Sequence, residues 1–460
     1  MDSGERGAGM VIDPQVLDSL RKKQPLLWLN SGLEAGADPI PGLDPALAEQ
    51  RLARYAAPLA HLFPEMEPTG GRLYSALQPI PKAQAALQAA AGMPAAGSAG
   101  AGTGVGTGAA GVGVWLLKRD DALPVAGSVK ARGGFHEVLA LAERLTAEAG
   151  RPISAGDPMQ LCGDTVRALL GRHTLSVGST GNLGMSIGLI GRRLGFQVVI
   201  HMSADAKQWK KERLRRHGIT VVEHSGDYAA AVDAGRQEAA RAADIHFVDD
   251  ERSRHLFLGY AAAAGELARQ LQEQGRRVDA DRPLFVYLPC GVGGAPGGIT
   301  YGLKLRFGGH VHCFFAEPTA APCMLVQLAA GVDKAVSVYD IGLDNVTEAD
   351  GLAVGLASPL VAPIMAKMLS GVFTVADDTL FRDAYLLAQE EGILLEPSAA
   401  AALRGPLWLR STRRGGDYLD SHGLARTMDR ATHVIWSTGG SLVPSEEHAR
   451  FQARGAQAAA

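Results

Sequence analysis

The stretch GSVKARGG, residues 127–134, sets Lys130 two positions before Arg132, with glycines on both sides. A lysine amine is nucleophilic only while unprotonated, a state that burial or a neighbouring cation favours. Arg132 is a permanent cation close by in sequence, and the glycines read as clearance for a flat ring. Alone, the pattern also fits an ordinary surface lysine at a helix start. A second stretch, LPCGVGGAPGGITYGLK (288–304), offers Gly291, Val292, Gly293 and Gly294 between an apolar run and a helical one. Backbone N–H groups with no Cβ in the way can close on an anion, and a helix start adds its positive dipole end. No G-K-[ST] follows the loop, and no acidic residue stands where a dinucleotide's ribose would need one. The loop therefore suits the phosphate of a smaller cofactor, or else is a tight strand-to-helix turn. A third stretch, SVGSTGNLGMSIG (176–188), gathers Ser179, Thr180, Gly181 and Asn182 at a helix start. Hydroxyls and helical N–H groups suit a carboxylate or phosphate, although plain capping uses the same residue types. The fourth, WSTGGS (436–441), places Thr438 in a hydroxyl-bearing turn.

Four such loops need a frame that brings them together. VWLLKRD, HTLSVG, FQVVIHMS, ITVVEHSG, PLFVYLP, HVHCFFAEP, GVFTVAD and HVIWSTGGS read as strands, with amphipathic helical runs such as ARGGFHEVLALAERLTAEAG between them. That alternation predicts parallel βαβ units, an α/β architecture whose ligands sit at the carboxyl ends of strands. Residues 12–60 read as short helices broken by prolines, and the Gly/Ala-rich residues 94–113 as a flexible inserted surface loop. The basic run KQWKKERLRRHG (207–218) is interleaved with Trp209 and Leu214, so a solvated helix face is the reading rather than a nucleic-acid surface.

Composition narrows the classes further. The 460 residues carry 47% hydrophobic and 20% charged side chains, as a soluble globular chain of two or three domains does. A formal charge of −3 attracts neither nucleic acid nor an anionic membrane. Cys162, Cys290, Cys313 and Cys323 form no C-x-x-C pair, which points to buried free thiols in a reducing compartment. The first residues lack the apolar core of a signal peptide, and no apolar run reaches the roughly 18 residues of a membrane span. A cytoplasmic protein is expected.

Taken in order, these pieces resemble the fold type II (tryptophan synthase β-like) pyridoxal-phosphate enzymes, and most closely their D-serine dehydratase (D-serine ammonia-lyase) branch. GSVKARGG, GSTGNLGMSIG, VIHMSADAKQWKKERLRRHGITVVEH, FVDDERSRHLFLGYA, LPCGVGGAPGG, HVHCFFAEPTAAPCM, DNVTEADGLAVG and ILLEPSAAAA carry the resemblance, from about residue 50 almost to the C-terminus. It implies two parallel-sheet α/β domains with pyridoxal 5'-phosphate between them: a large one from 1–171 and 256–460, and a small one, 172–255, that closes over the substrate. Lys130 would hold the cofactor covalently, Asn182 would meet its phenolic oxygen, Gly291–Gly294 its phosphate and Thr438 its pyridine nitrogen. Ser179, Thr180 and Gly181 would face the substrate carboxylate, Lys130 would move protons with Thr180 or Asp250 as helper, and Glu317 would lie at a monovalent cation (K+ or Na+). Ala295 stands where the resemblance leads one to expect another glycine.

The implied activity is loss of water from D-serine, and of the like from D-threonine, giving pyruvate and ammonia in the first case. A monomer is implied, with no nucleic-acid or membrane partner. Two other readings stay open on sequence alone: an L-serine or L-threonine dehydratase of the same fold, and a non-catalytic phosphate or nucleotide binder. Arg132 is left without a role.

Overall fold

A computed structural model describes residues 12–34, 36–93, 113–179, 181–204, 206–225 and 228–460. The Gly/Ala-rich stretch 94–113, apart from Gly113, and Thr180 lie outside the described residues. Eleven strands are present among them: β1 (Leu27–Leu29), β2 (Leu77–Pro79), β3 (Val114–Arg119), β4 (Thr174–Gly178), β5 (Gln197–Ser203), β6 (Thr220–His224), β7 (Ile245–Val248), β8 (Leu284–Pro289), β9 (Val311–Pro318), β10 (Gly371–Val375) and β11 (Thr432–Ser437).

They form two sheets. One has seven strands in the order β1-β10-β9-β8-β11-β3-β2, and the other has four in the order β6-β5-β4-β7. The four-stranded sheet is parallel throughout. In the larger sheet the five central strands run parallel, while β1 and β2 join its edges antiparallel. Those two three-residue edge strands have no sequence signal: LWL and LQP are too short for periodicity to register. By contrast β8, β9, β10 and β11 are buried along their whole length, as strands covered by helices on both faces must be.

The carboxyl ends of β4, β8 and β11 open onto one cleft. Beside them starts the helix Lys130–Glu148, tied to the end of β11 by Val129 N–H donating to Thr438 O (3.0 Å) and by an isolated bridge between Ser128 and Gly439. This tie carries Lys130 to the sheet's carboxyl edge.

Two local expectations are corrected. The glycines of GSVKARGG do not clear space for a ring. A Cβ on Gly133 would lie 2.4 Å from the Tyr260 ring, one on Gly134 3.0 Å from Ser186 Cβ, and one on Gly127 2.4 Å from Ser441 Oγ. They let the Lys130 helix press against the helices Arg254–Ala261 and Asn182–Leu194. The basic run is not a uniformly solvated face either. Lys210 and Lys211, on the helix Gln208–Arg216, are buried, because acidic and carbonyl oxygens await their ammonium groups.

Candidate active site

The cleft is lined by Ser128–Lys130, Gly178, Ser179, Asn182, Asp250, the loop Gly291–Pro296, Gly351, Leu352, Glu396, Ser398 and Thr438. Of the residues singled out from sequence, it therefore collects Lys130, Ser179, Asn182, Asp250, the four loop residues and Thr438. Lys130 Nζ lies 2.6 Å from Asp250 Oδ2 and 5.8 Å from the centre of the Tyr260 ring. The other oxygen, Asp250 Oδ1, is buried without a hydrogen-bond partner. It faces the glycine loop: a Cβ on Gly294 would sit 3.5 Å from it.

The loop itself is built for close approach. Gly293 takes φ +110°, a left-handed conformation open to glycine, and a Cβ there would meet Met324 Cε at 2.5 Å. Gly294 begins the helix Gly294–Phe307, whose first N–H groups have no partner within the helix. Ala295 fits as the second residue of that helix, buried at the cleft wall. Its methyl group is accommodated without opening the turn.

Opposite, Ser179 Oγ accepts from the N–H groups of Gly181 (3.0 Å) and Gly184 (2.9 Å) at the start of the helix Asn182–Leu194. The hydroxyl caps the helix and keeps its own proton to donate. Asn182 Nδ2 donates to Glu396 Oε1 at 2.9 Å, leaving its second N–H and its carbonyl for the cleft. Burial pushes the Glu396 carboxyl up from its ordinary value, with Lys210 pulling the other way. Glu396, Lys210 and Asp350 were not assigned from sequence. The motifs ILLEPSAAAA, DNVTEADGLAVG and VIHMSADAKQWKKERLRRHGITVVEH contain them, but nothing local says which of their residues turn inward.

Arg132, left open above, now has partners. It lies 3% exposed, and its guanidinium forks onto Asp120 (Nε–Oδ2 2.7 Å, Nη2–Oδ1 2.8 Å) and reaches both Glu266 oxygens at 3.1 and 3.2 Å. Burial works against its charge, but Asp120 and Glu266 outweigh it and hold the group protonated. Lys118 also bonds Glu266, and Trp436 Nε1 donates to Asp120 Oδ2 at 2.8 Å. Arg132 thus joins the Lys130 helix to β3 and β11 beneath the cleft.

Glu317, at the end of β9, stands apart from the cleft lining. Its oxygens accept the N–H groups of Met324 (2.8 Å) and Leu325 (2.9 Å) at the start of the helix Cys323–Ala330, and burial pushes its carboxyl up to about 8. Among the described residues no group of three or more His, Cys, Asp or Glu side chains could hold a metal ion. Cys290, Cys313 and Cys323 are buried free thiols, and Cys162 is half-buried.

A family model described as "Pyridoxal-phosphate dependent enzyme" matches residues 105–417. The chain belongs to that family. Among curated relatives, it is 56% identical to a "Probable D-serine dehydratase" of Cupriavidus pinatubonensis over 447 residues, 96% of this chain and 95% of the relative. It is also 56% identical to a protein of the same name from Burkholderia thailandensis over 450 residues, 96% and 95% of the two chains. Among solved structures, diaminopropionate ammonia lyase from Escherichia coli in complex with D-serine superposes with a TM-score of 0.69 at 18% identity, covering 95% of this chain and 99% of that one. That likeness speaks for the fold.

The cofactor named by the family fits the cleft of this pyridoxal-phosphate enzyme. A flat, anionic cofactor needs an amine, a phosphate cradle and polar groups around a ring. The cleft supplies Lys130, a glycine loop opening a helix whose first N–H groups have no partner within it, and Asn182 with Thr438. No helix among the described residues is long and apolar enough to cross a membrane.

Proposed function

We propose that this chain is a pyridoxal-phosphate-dependent ammonia-lyase that acts on D-serine, eliminating water across Cα–Cβ and yielding pyruvate and ammonia. The observation that carries the reading is the Lys130–Asp250 contact facing the Gly291–Gly294 loop, in a chain 56% identical to the relatives named above. The water lost in elimination returns when the released enamine hydrolyses, so the sum is one D-serine to one pyruvate and one ammonia.

Lys130 would anchor the cofactor, and Gly291, Val292, Gly293 and Gly294 would hold its phosphate through N–H groups at the helix start. Asn182 would give its free amide N–H to the phenolic oxygen, and Thr438 its hydroxyl to the pyridine nitrogen. When bound, the cofactor supplies an electron sink for negative charge at Cα. Ser179 and Gly181, with Thr180 outside the described residues, would hold the substrate carboxylate at the positive end of the Asn182–Leu194 helix. Lys130 Nζ would take the Cα proton and, as the ammonium so formed, give a proton to the departing β-hydroxyl, which leaves as water. Asp250, at 2.6 Å, would share that proton and steady the ammonium that results. Both groups lie on one hydrogen bond, so no water is needed between them.

The reading includes a small domain, residues 172–255, closing over the cleft, a monomeric enzyme, and D-threonine as a further substrate. A monovalent cation near Glu317 completes it. Since both Glu317 oxygens already accept backbone N–H bonds, carbonyl oxygens would have to supply most of that ion's ligands. The test is pyruvate or 2-oxobutanoate release measured separately on D-serine, L-serine and D-threonine. Release from D-serine well above L-serine supports the reading, and turnover of the L-isomer alone overturns it.

A further inference from the structure

A second lysine, Lys210, lies just outside the cleft lining, packed on Gly181. It is 3% exposed, and its Nζ lies 3.0 and 2.9 Å from the two oxygens of Asp350. Its stem runs across Gly181, where a Cβ would meet Lys210 Cδ at 2.5 Å. Gly181 holds φ +143° and so needs glycine on two counts. Asp350 directly precedes Gly351 and Leu352, which line the opposite wall, and the Gly351 carbonyl lies 3.1 Å from where a Cβ on Gly291 would be. Lysine and aspartate thus come from elements beside the two sheets and bridge them next to the cleft.

The same helix makes a second crossing, from Arg213 Nη1 to Leu442 O at 3.2 Å. Glu396 stands close enough to act on Lys210 as well: burial works against the lysine's charge, and Asp350 and Glu396 together hold it on. An ion pair between a buried lysine and a half-buried aspartate adds little net stability. Packing alone does not account for a charge placed here, and geometry does.

We propose that Lys210 is a positioning residue whose ion pair with Asp350 straps the Gln208–Arg216 helix across the cleft and holds Gly181 and Asn182 in their binding geometry. Its alkyl stem presses the Gly181 backbone from above, and its ammonium fixes how far that wall can swing from the Gly351 side. The inference rests on the function proposed above only for its kinetic readout.

The test uses the cofactor-loaded protein as wild type, Lys210→Met, Asp350→Asn and the double variant. It reads kcat and KM on D-serine, the cofactor absorbance band, and amide hydrogen exchange over residues 181–194. Lys210→Met keeps the stem and drops the charge, leaving Asp350 beside Glu396 with no cation between them. The expected result is a KM raised about tenfold, a loss of the size found between residues joined in one salt-bridge network, with the absorbance band unchanged and exchange over 181–194 faster. The double variant should be no worse than Lys210→Met, because it leaves no such unpaired acid. Wild-type KM and exchange in Lys210→Met, or effects that simply multiply in the double variant, overturn the strap. If Lys210→Met fails to fold, Asp350→Asn decides by exchange alone: faster exchange over 181–194 supports the strap, and wild-type exchange there overturns it. Should the wild type release no pyruvate from D-serine, the proposed function fails while the exchange cycle still judges the strap.

Discussion

Lys130 Nζ and Asp250 Oδ2 stand 2.6 Å apart, and the second oxygen of that carboxylate is buried with no partner of its own. One oxygen is thus committed to the lysine and the other points toward the glycine loop. Such a carboxylate can accept the lysine's N–H bond and steady its ammonium without moving. Asp250→Asn keeps the shape and the hydrogen bond but removes the charge. It is expected to lower kcat by about 10²–10⁴, the range for a lost acid–base group, while the cofactor absorbance band persists. Unchanged kcat would remove Asp250 from proton handling.

The Arg132 network makes a stability prediction. Arg132→Met leaves Asp120 and Glu266 buried with Lys118 as their remaining cation, a loss worth about 3–5 kcal/mol. Arg132 and Lys118 hold Glu266 down to about 2 against the effect of burial; in the variant Glu266 keeps Lys118, while Asp120 loses the guanidinium that forks onto it. Arg132→Lys should recover only part, since an ammonium cannot fork onto two carboxylates. Urea midpoints of the three proteins check this.

Glycine packing can be tested apart from charge. Gly133→Ala drives a methyl group to 2.4 Å from the Tyr260 ring and is expected to cost roughly 1–3 kcal/mol as an overpacked contact. Gly416→Ala, in the helix Arg413–Ser421 with open space around it, is expected to stabilise by about 0.4–1 kcal/mol. A neutral Gly133→Ala would return that glycine to the role of making room for a ring.

Acid should weaken the fold before it reaches the carboxylates. Burial lowers His136 to about 4 and His312 and His433 to about 3. Below the ordinary histidine value of 6.5 the unfolded chain takes up protons that these folded histidines refuse. Their share of stability is therefore whole above 6.5 and is lost as pH falls toward 4 and 3. Glu317, raised to about 8, works the other way: its share is whole below 4.5 and is lost as pH climbs toward 8. With six histidines lowered (His201, His217 and His255 besides these) against four carboxyls raised (Glu251, Asp383 and Glu396 besides Glu317), the urea midpoint is expected to drop between pH 6.5 and 4. A flat midpoint across that window would contradict the burial assigned to them.

Much of this was legible in the sequence. Apolar runs such as FVYLP and CFFAEP announce strands, and a glycine loop after a strand announces a place for an anion. The cleft gathers Lys130, Asn182, Gly291–Gly294, Asp250 and Thr438 because each ends a strand or starts a helix, positions that a one-dimensional pattern marks. What stayed hidden depends on partners remote in the chain. Arg132 had no defensible role until Asp120 and Glu266 were beside it, and Gly133 and Gly134 face helices that lie some 120 and 50 residues further on. Lys210 sat in a run whose charge density reads as solvent-facing, and only Asp350, 140 residues away, shows otherwise. Local pattern says where a side chain begins, not what it meets.

The most direct test of the whole account is Lys130→Ala. The wild-type protein loaded with pyridoxal phosphate and treated with borohydride should carry the cofactor's mass on the peptide containing Lys130, and before treatment should release pyruvate from D-serine. The variant should show neither. Borohydride-fixed cofactor at another lysine, or pyruvate release that survives the substitution, would contradict Lys130 as the residue on which this site turns.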